Sequence, residues 1–474
     1  MRDLSGDREA LPQYLAGAEG TGEGRTGARR LLSTAGIDPD QLFSDLVLPA
    51  AGPVVVAVSG GGDSLALLVL LNDHFSRHAR DRAILAVTVD HGLRPGAARE
   101  AHHVGAICAR LGIAHRILAW QGAKPDTGLM AAARQARYDL IFQAARESGA
   151  AMIMTAHTRD DQAETVFMRR ARGAGRGLAG IAPATLLRGR VWVMRPLLDI
   201  ARATLRDMLR GRGLAWVDDP SNQDRAYERV RARSCLAADP GLADALVSAG
   251  RAAQGERVAL GLRAAAVVRD RARMPAPGLV RLDPDVARTD DASAAGLALS
   301  ALVAVVGGRA RLVEDGRADK LFARLAGGPV RATLAGAVID ARKTGIFLYR
   351  ELRAGWTGAV PARVGALWDQ RYRIETIPAG AVAVETRGRG RPGGPVVADP
   401  DCPAALQRAA LAGEPVFMDA DGRDIDNGAS GFARVVSPFA CYLPVFDFEP
   451  AAALGALFGC PPLPAPPLRG HNAA

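Results

Sequence analysis

No two cysteines of this chain stand at metal-ligand or redox spacing. The five, Cys108, Cys235, Cys402, Cys441 and Cys460, are scattered and form no CxxC pair. That excludes a zinc ribbon, a cysteine-held cluster or a dithiol redox centre. An odd, dispersed set fits reduced cytoplasmic thiols better than a disulfide framework. Lysine is almost missing. Only Lys124, Lys320 and Lys343 occur, so the formal net charge of +10 rests on arginine. No apolar run reaches the length of a membrane-spanning helix. The N-terminus, with Asp3, Asp7 and Glu9 and no apolar core, does not read as a secretory signal. A hydrophobic share of 49% and a charged share of 23% are those of an ordinary globular protein, and 474 residues suggest two or three domains.

What is present is organised around one stretch. Val54-Val55-Val56-Ala57-Val58 is an unbroken run of apolar, mostly β-branched residues, which predicts a strand buried on both faces. Ser59-Gly60-Gly61-Gly62-Asp63-Ser64 follows, then Leu65-Ala66-Leu67-Leu68 at helical spacing. A glycine and hydroxyl loop between strand and helix brings free backbone N–H groups to the positive end of the helix dipole, a place for phosphate. A Walker A loop needs a lysine before its last hydroxyl residue. Asp63 stands there instead, and a carboxylate inside an anion loop suggests a hard cation such as Mg²⁺ beside the phosphates.

From Pro53 to about Pro220 strands and helices alternate, which predicts an α/β domain with a parallel sheet covered on both sides. Further strands are expected at 84–89, 114–120, 152–155 and 191–194, and helices at 97–111 and 128–147. Ligands in such sheets sit at the carboxyl ends of the strands. The phosphate loop, Asp90-His91 and His157-Thr158-Arg159-Asp160-Asp161 all fall there. Five regions are expected: a flexible extension over 1–45, a nucleotide-binding catalytic domain over 46–238, a mainly helical domain over 239–355, a small mixed α/β domain over 356–460, and a disordered Pro-rich tail over 461–474. Val330–Leu352 reads as a hairpin and Thr386–Gly394 as a Gly/Arg-rich loop.

Asp160 and Asp161 open a helix, where the dipole alone favours acids. Beside a phosphate loop, Asp161 could also hold Mg²⁺ or orient an amine, and His157 could bond a phosphate or a base. His91, at the end of the second strand, reads as an ordinary hydrogen-bonder unless the crevice gives it more. Arg134 and Arg137 lie three apart on one helix face, suited to clamping phosphate. Residues 169–233 hold fifteen arginines, no lysine and six acids, a local excess of nine positive charges. This concentration favours an RNA-backbone patch over a solvated face.

The loop resembles the SGGxDS pyrophosphate-binding loop of the PP-loop ATP-pyrophosphatases, which cleave ATP between the α- and β-phosphates and adenylate an oxygen. In order, SGGGDS, VDHGLR, ARQARYDL, TAHTRDDQAET, RRARGAGRGLAGI, RPLL, GLAWVDDPSN and RVRAR resemble the blocks of the tRNA(Ile)-lysidine synthases, from Val54 to Arg233. The resemblance implies ATP-dependent ligation of free lysine to C2 of the wobble cytidine of the CAU-anticodon isoleucine tRNA. An adenylated cytidine is the intermediate, and lysidine, AMP and pyrophosphate are the products. It implies that Ser59, Gly60, Gly61, Gly62, Asp63 and Ser64 hold ATP and that Asp63 is the metal ligand. Asp63, Arg137, His157 and Asp161 become the catalytic candidates, and Arg134, Arg229, Arg231 and Arg233 the RNA-binding ones. The last family block more usually reads RNRIR, with Val230 here in place of the asparagine. Other PP-loop enzymes, a tRNA thiolase or a small-molecule synthetase, are the alternatives. The missing cysteine pairs disfavour the first and the arginine concentration the second. A nucleotide-binding RNA module without catalysis would release no pyrophosphate. Oligomeric state stays open, a homodimer being one option.

Overall fold

The computed structural model describes residues 32–33, 36–79, 81–93, 96–173, 175–218, 227–353, 356, 358–388, 401–425 and 431–469. Most of the expected extension, Arg94, Asp219, Asp224, most of the Gly/Arg-rich loop and the last five residues lie outside that set.

Strand β1 (Val54–Ala57) is central in a seven-stranded sheet, and its valines are almost completely buried. Helix α1 (Gly62–His78) follows, then β2 (Ile84–Asp90), α2 (Ala97–Leu111), β3 (Ala114–Ala119), α3 (Leu129–Glu147), β4 (Met152–Met154) and α4 (Arg159–Ala171). Val54 and Val56 point to the side covered by α1 and α2, where Leu65, Leu68, Val104 and Ile107 are buried. Val55 points to the opposite side, with Ile153 and with Tyr138, Ile141 and Phe142 of α3. This two-residue alternation between buried faces requires an unbroken apolar strand.

A hairpin follows, β5 (Ala184–Leu187) and β6 (Val191–Met194). β6 runs parallel to β4, so β6, β4, β1, β2 and β3 form the parallel part; β5 lies antiparallel on the outside. Beyond β5 the strand Tyr442–Pro444 closes the sheet edge, pairing Leu443 with Leu186. Neither of these two antiparallel strands was placed in this sheet from the sequence. Helices α5 (Arg202–Gly211), α6 (Glu228–Ala238) and α7 (Pro240–Arg271) complete this half; Asp239 caps α7 by accepting a bond from Leu242 N at 3.1 Å.

Residues 239–355 contain more strand than expected. The run read as a hairpin is β9 (Val330–Leu334), β10 (Ala337–Arg342) and β11 (Gly345–Arg350), part of a five-stranded antiparallel sheet completed by β7 (Ala272–Ala276) and β8 (Leu279–Leu282). Ala-Arg-Met-Pro-Ala carries no β-branched residue. Its pairing with β8, itself held on β11 through Val280 and Leu348, makes it a strand. The apolar helix Ala292–Val306 belongs to the same core.

Two small antiparallel sheets follow, of four and three strands, around Trp368, Tyr372, Ile374, Val384 and Phe417. The chain then returns to the first domain. Helix Phe448–Leu457 packs on α7, where Pro450 lies 3.3 Å from the Cβ position of Gly261. The tail expected to be disordered is placed as far as Arg469. Pro466 and Pro467 are buried, Leu468 bridges Leu46, and Arg469 N donates to Asp45 O at 2.7 Å. Residues 37–46 belong to the same core, since Ile37, Leu42, Phe43 and Leu46 are buried in it.

Candidate active site

The phosphate loop sits at the carboxyl end of β1. Gly60 has φ +84°, in the left-handed region that a side chain would strain. Ser64 Oγ donates to Gly61 O at 2.9 Å and accepts from Ser59 N at 3.1 Å, so the last residue of the loop folds back on the first. Gly61 caps α1 without a side-chain bond, leaving first-turn amides available to an anion. The segment after α5 supports the loop from behind. Val217 N donates to Gly60 O at 3.0 Å, and the Trp216 ring lies 3.4 Å from where a Cβ on Gly62 would be. A larger residue at 62 would press into that ring.

Helix α4 opens with a reciprocal cap: Asp161 Oδ2 accepts from Thr158 N at 2.8 Å, and Thr158 Oγ1 accepts from Asp161 N at 3.4 Å. The cap therefore occupies one carboxylate oxygen and leaves the other to different partners. Its Oδ1 faces the crevice and accepts from Arg202 at 3.0 Å and Arg229 at 3.3 Å. Burial pushes this carboxyl up, but Arg202, Arg229 and the Thr158 amide outweigh it and hold Asp161 below its ordinary range.

Arg202 is the connector that sequence reasoning missed. Its Nε donates to Asp63 Oδ2 at 2.9 Å, and its backbone N donates to Asp160 Oδ2 at 2.8 Å. Asp63 and Asp161, about a hundred residues apart, thus meet on one guanidinium. Burial raises the Asp63 carboxyl above the ordinary range, against the pull of Arg202. Asp63 Oδ1 is buried and has no hydrogen-bond partner. A buried, unsatisfied carboxylate oxygen beside a phosphate loop is a fitting ligand for Mg²⁺.

Glu164, one turn further along α4, is 1% exposed and was not singled out from the sequence. Arg229 and Arg233 donate their Nε atoms to it at 2.7 and 2.9 Å, and Arg202 lies 3.5 Å away. Helix α6, read from the sequence as RNA-binding, thus spends two of its arginines on this carboxylate. Arg229 and Arg233 reach this carboxylate because a buried acid needs cationic partners, yet their side chains stay 40% and 36% exposed; Arg231 is exposed. Much of the arginine run behaves likewise. Arg169 donates to Gly177 O and Gly180 O, Arg176 pairs with the buried Asp447, and Arg195 bonds Ala182 O and Thr185 Oγ1. Local charge excess could not tell a solvent-facing arginine from one holding a buried carboxylate or carbonyl.

His157 lies at the end of β4, its Nδ1 3.1 Å from Thr155 Oγ1. Burial and the Arg195 guanidinium push its pKa down to about 3, so the imidazole is neutral at physiological pH. Across the crevice Arg137 donates to His91 Nε2 from Nε at 3.3 Å, and the His91 ring stands edge-on to Trp120. Arg134 lies over the Tyr138 ring at 5.1 Å and keeps an exposed guanidinium. The loop, Asp63, His157 and Asp161 therefore come together. Arg134 and Arg137 line the α3 side of the same strand ends.

The family model described as a PP-loop domain matches residues 37–239. A tRNA(Ile)-lysidine synthase of Mesorhizobium japonicum is 48% identical over 434 residues, 88% of this chain and 95% of that protein. One of Rhizobium meliloti is 39% identical over 88% of this chain and 93% of its own length. One of Brucella ovis is 42% identical over 65% of this chain and 70% of its own. With a glycine-rich loop, a linked pair of carboxylates and 48% identity over 88% of its length to the Mesorhizobium japonicum protein, the chain belongs to the tRNA(Ile)-lysidine synthase family of PP-loop enzymes.

Proposed function

We propose that this crevice adenylates the wobble cytidine of the CAU-anticodon isoleucine tRNA and passes the activated base to free lysine, in the cytoplasm. The observation that carries the reading is the single guanidinium of Arg202 joining Asp63 of the phosphate loop to Asp161 at the mouth of α4. Ser59–Ser64 and the first turn of α1 bind the ATP phosphates. Asp63, with its unpartnered Oδ1, would hold Mg²⁺, which when bound would offset charge on the leaving pyrophosphate. The cytidine O2 attacks the α-phosphorus, the bond to the β-phosphate oxygen breaks, and pyrophosphate leaves. The lysine ε-amine then adds to C2, AMP departs with the original oxygen, and the amine gives up its proton. Asp161 Oδ1 orients the ammonium or amine, and the neutral His157 accepts a hydrogen bond or proton beside it. Arg137 and Arg134 steady the nucleotide from α3.

The test separates the two halves of the reaction. With ATP, Mg²⁺ and tRNA but no lysine, the enzyme should give AMP-linked tRNA or slow AMP release; adding lysine should give lysidine by nucleoside mass analysis. Pyrophosphate release from ATP and lysine without tRNA would mean that the amino acid is activated instead, and the reading would fall.

A further inference from the structure

At the end of α1 farthest from the phosphate loop, three metal-ligating side chains converge outside the catalytic crevice. Asp40, in the one-turn helix Pro39–Leu42, has Oδ1 3.0 Å from His74 Nδ1 and Oδ2 3.0 Å from His78 Nε2. All three ligand atoms lie within 4.8 Å of one another. His74 and His78 are four apart on one helix, the spacing that lets two imidazoles reach one ion. The Phe43 ring, 5.3 Å from the His74 ring, walls the inner side, and His74 is 15% exposed. His78 is 54% exposed and leaves the outer side open to water.

We infer that Asp40, His74 and His78 form a zinc-binding site that fastens the segment around residue 40 to the carboxyl end of α1. Each imidazole nitrogen already points at a carboxylate oxygen across a gap where an ion can replace a shared proton. Tetrahedral zinc at about 2.0–2.2 Å from nitrogen and oxygen ligands takes three protein groups and one water. The carboxyl end of α1 carries the negative pole of the helix dipole, which favours a cation. One competitor is in place, Arg77 Nη1 at 3.3 Å from Asp40 Oδ2; being 53% exposed, it can swing into solvent. The site is distinct from the Mg²⁺ position at Asp63, which lies at the opposite end of the same helix. Oxygen-seeking Mg²⁺ suits Asp63, whereas imidazoles select zinc.

The experiment uses the full chain, stripped with a chelator and titrated with Zn²⁺ against a chromophoric competitor. Wild type should bind one ion at this site and gain thermal stability from it. His74→Gln and His78→Gln should each weaken that binding by about tenfold or more. Co²⁺ substitution of wild type should give tetrahedral d–d bands without thiolate charge transfer, a readout that needs no variant to fold. Unchanged zinc affinity in both variants, no zinc binding by wild type, or a thiolate-type Co²⁺ spectrum would each overturn the assignment.

Discussion

Arg229 donates its Nε to Glu164 Oε2 at 2.7 Å, so a side chain placed by sequence on an RNA-facing helix holds a carboxylate under the catalytic floor. Arg233 does the same from the next turn. Helix α6 is thereby fixed to α4, and α4 carries Asp161.

Glu164→Ala should leave three guanidiniums crowded around an empty site, at a cost of about 3–5 kcal/mol. Arg229→Gln and Arg233→Gln should each cost about 1–3 kcal/mol and lower the rate of lysidine formation. Neither should change the log–log salt dependence of tRNA affinity. Arg170, Arg190 and Arg231, all exposed, are the better candidates for phosphate contacts. Salt titrations of the single glutamine variants check this. A slope lowered by about one unit in Arg229→Gln would return that residue to the RNA backbone.

Asp63→Asn should abolish tRNA-dependent pyrophosphate release while the far-ultraviolet spectrum and tRNA binding persist. The form that would hold a metal is the carboxylate, and burial raises its pKa. Activity should therefore fall on acidification through a midpoint above about 3.9, the ordinary aspartate value. The pH profile of kcat/KM in the wild type measures it. An acid limb at or below the ordinary value would take Asp63 out of the titrating machinery.

Removing residues 461–474 should lower the apparent Tm by a few degrees. The tail pairs with the start of the catalytic domain through Leu468 and Leu46, Pro467 O and Val47 N at 3.1 Å, and Arg469 N and Asp45 O. Thermal unfolding of the truncated chain decides the matter, and an unchanged transition would mean that these bonds add nothing in solution.

What the sequence disclosed follows from local chemistry. The unbroken apolar run Val54–Val58 reads as a strand buried on both faces, and the glycines and hydroxyls of Ser59–Ser64 read as the turn into the next helix, so this part of the fold was legible. Thr158 and Asp161 mark a helix start whichever role the aspartate has. Long-range partners were not legible. Nothing local tells Arg229 that Glu164 is buried beneath it, or Arg202 that Asp63 lies within reach. The composition of Ala272–Ala276 and of the Pro-rich tail points away from regular pairing; the first becomes a strand against its hairpin neighbour Leu279–Leu282, which Gly345–Arg350 holds in the sheet, and the second finds backbone partners at Asp45–Val47. His91 was weighed as a bystander, yet Arg137 meets it at the crevice.

His157 supplies a stability test whose sign is fixed by its environment. Its folded-state pKa lies near 3, below the ordinary value of about 6.5, because burial and Arg195 oppose a charged imidazole. The unfolded chain therefore takes up a proton at this residue before the folded one does. Stability should be unaffected by His157 above about pH 6.5, fall as pH drops below it, and cease to fall near the folded value. The total is on the order of a few kcal/mol. His157→Asn should remove this part of the acid sensitivity, flattening denaturation midpoints between those two limits while lowering activity. Urea titrations at pH 7, 6, 5 and 4 compare the two proteins. In wild type the His157 ring protons should also show no NMR titration from pH 8 to 5. Equal acid sensitivity in wild type and variant, or a His157 resonance titrating near 6.5, would show a charged imidazole in the crevice and remove its role as the neutral acceptor.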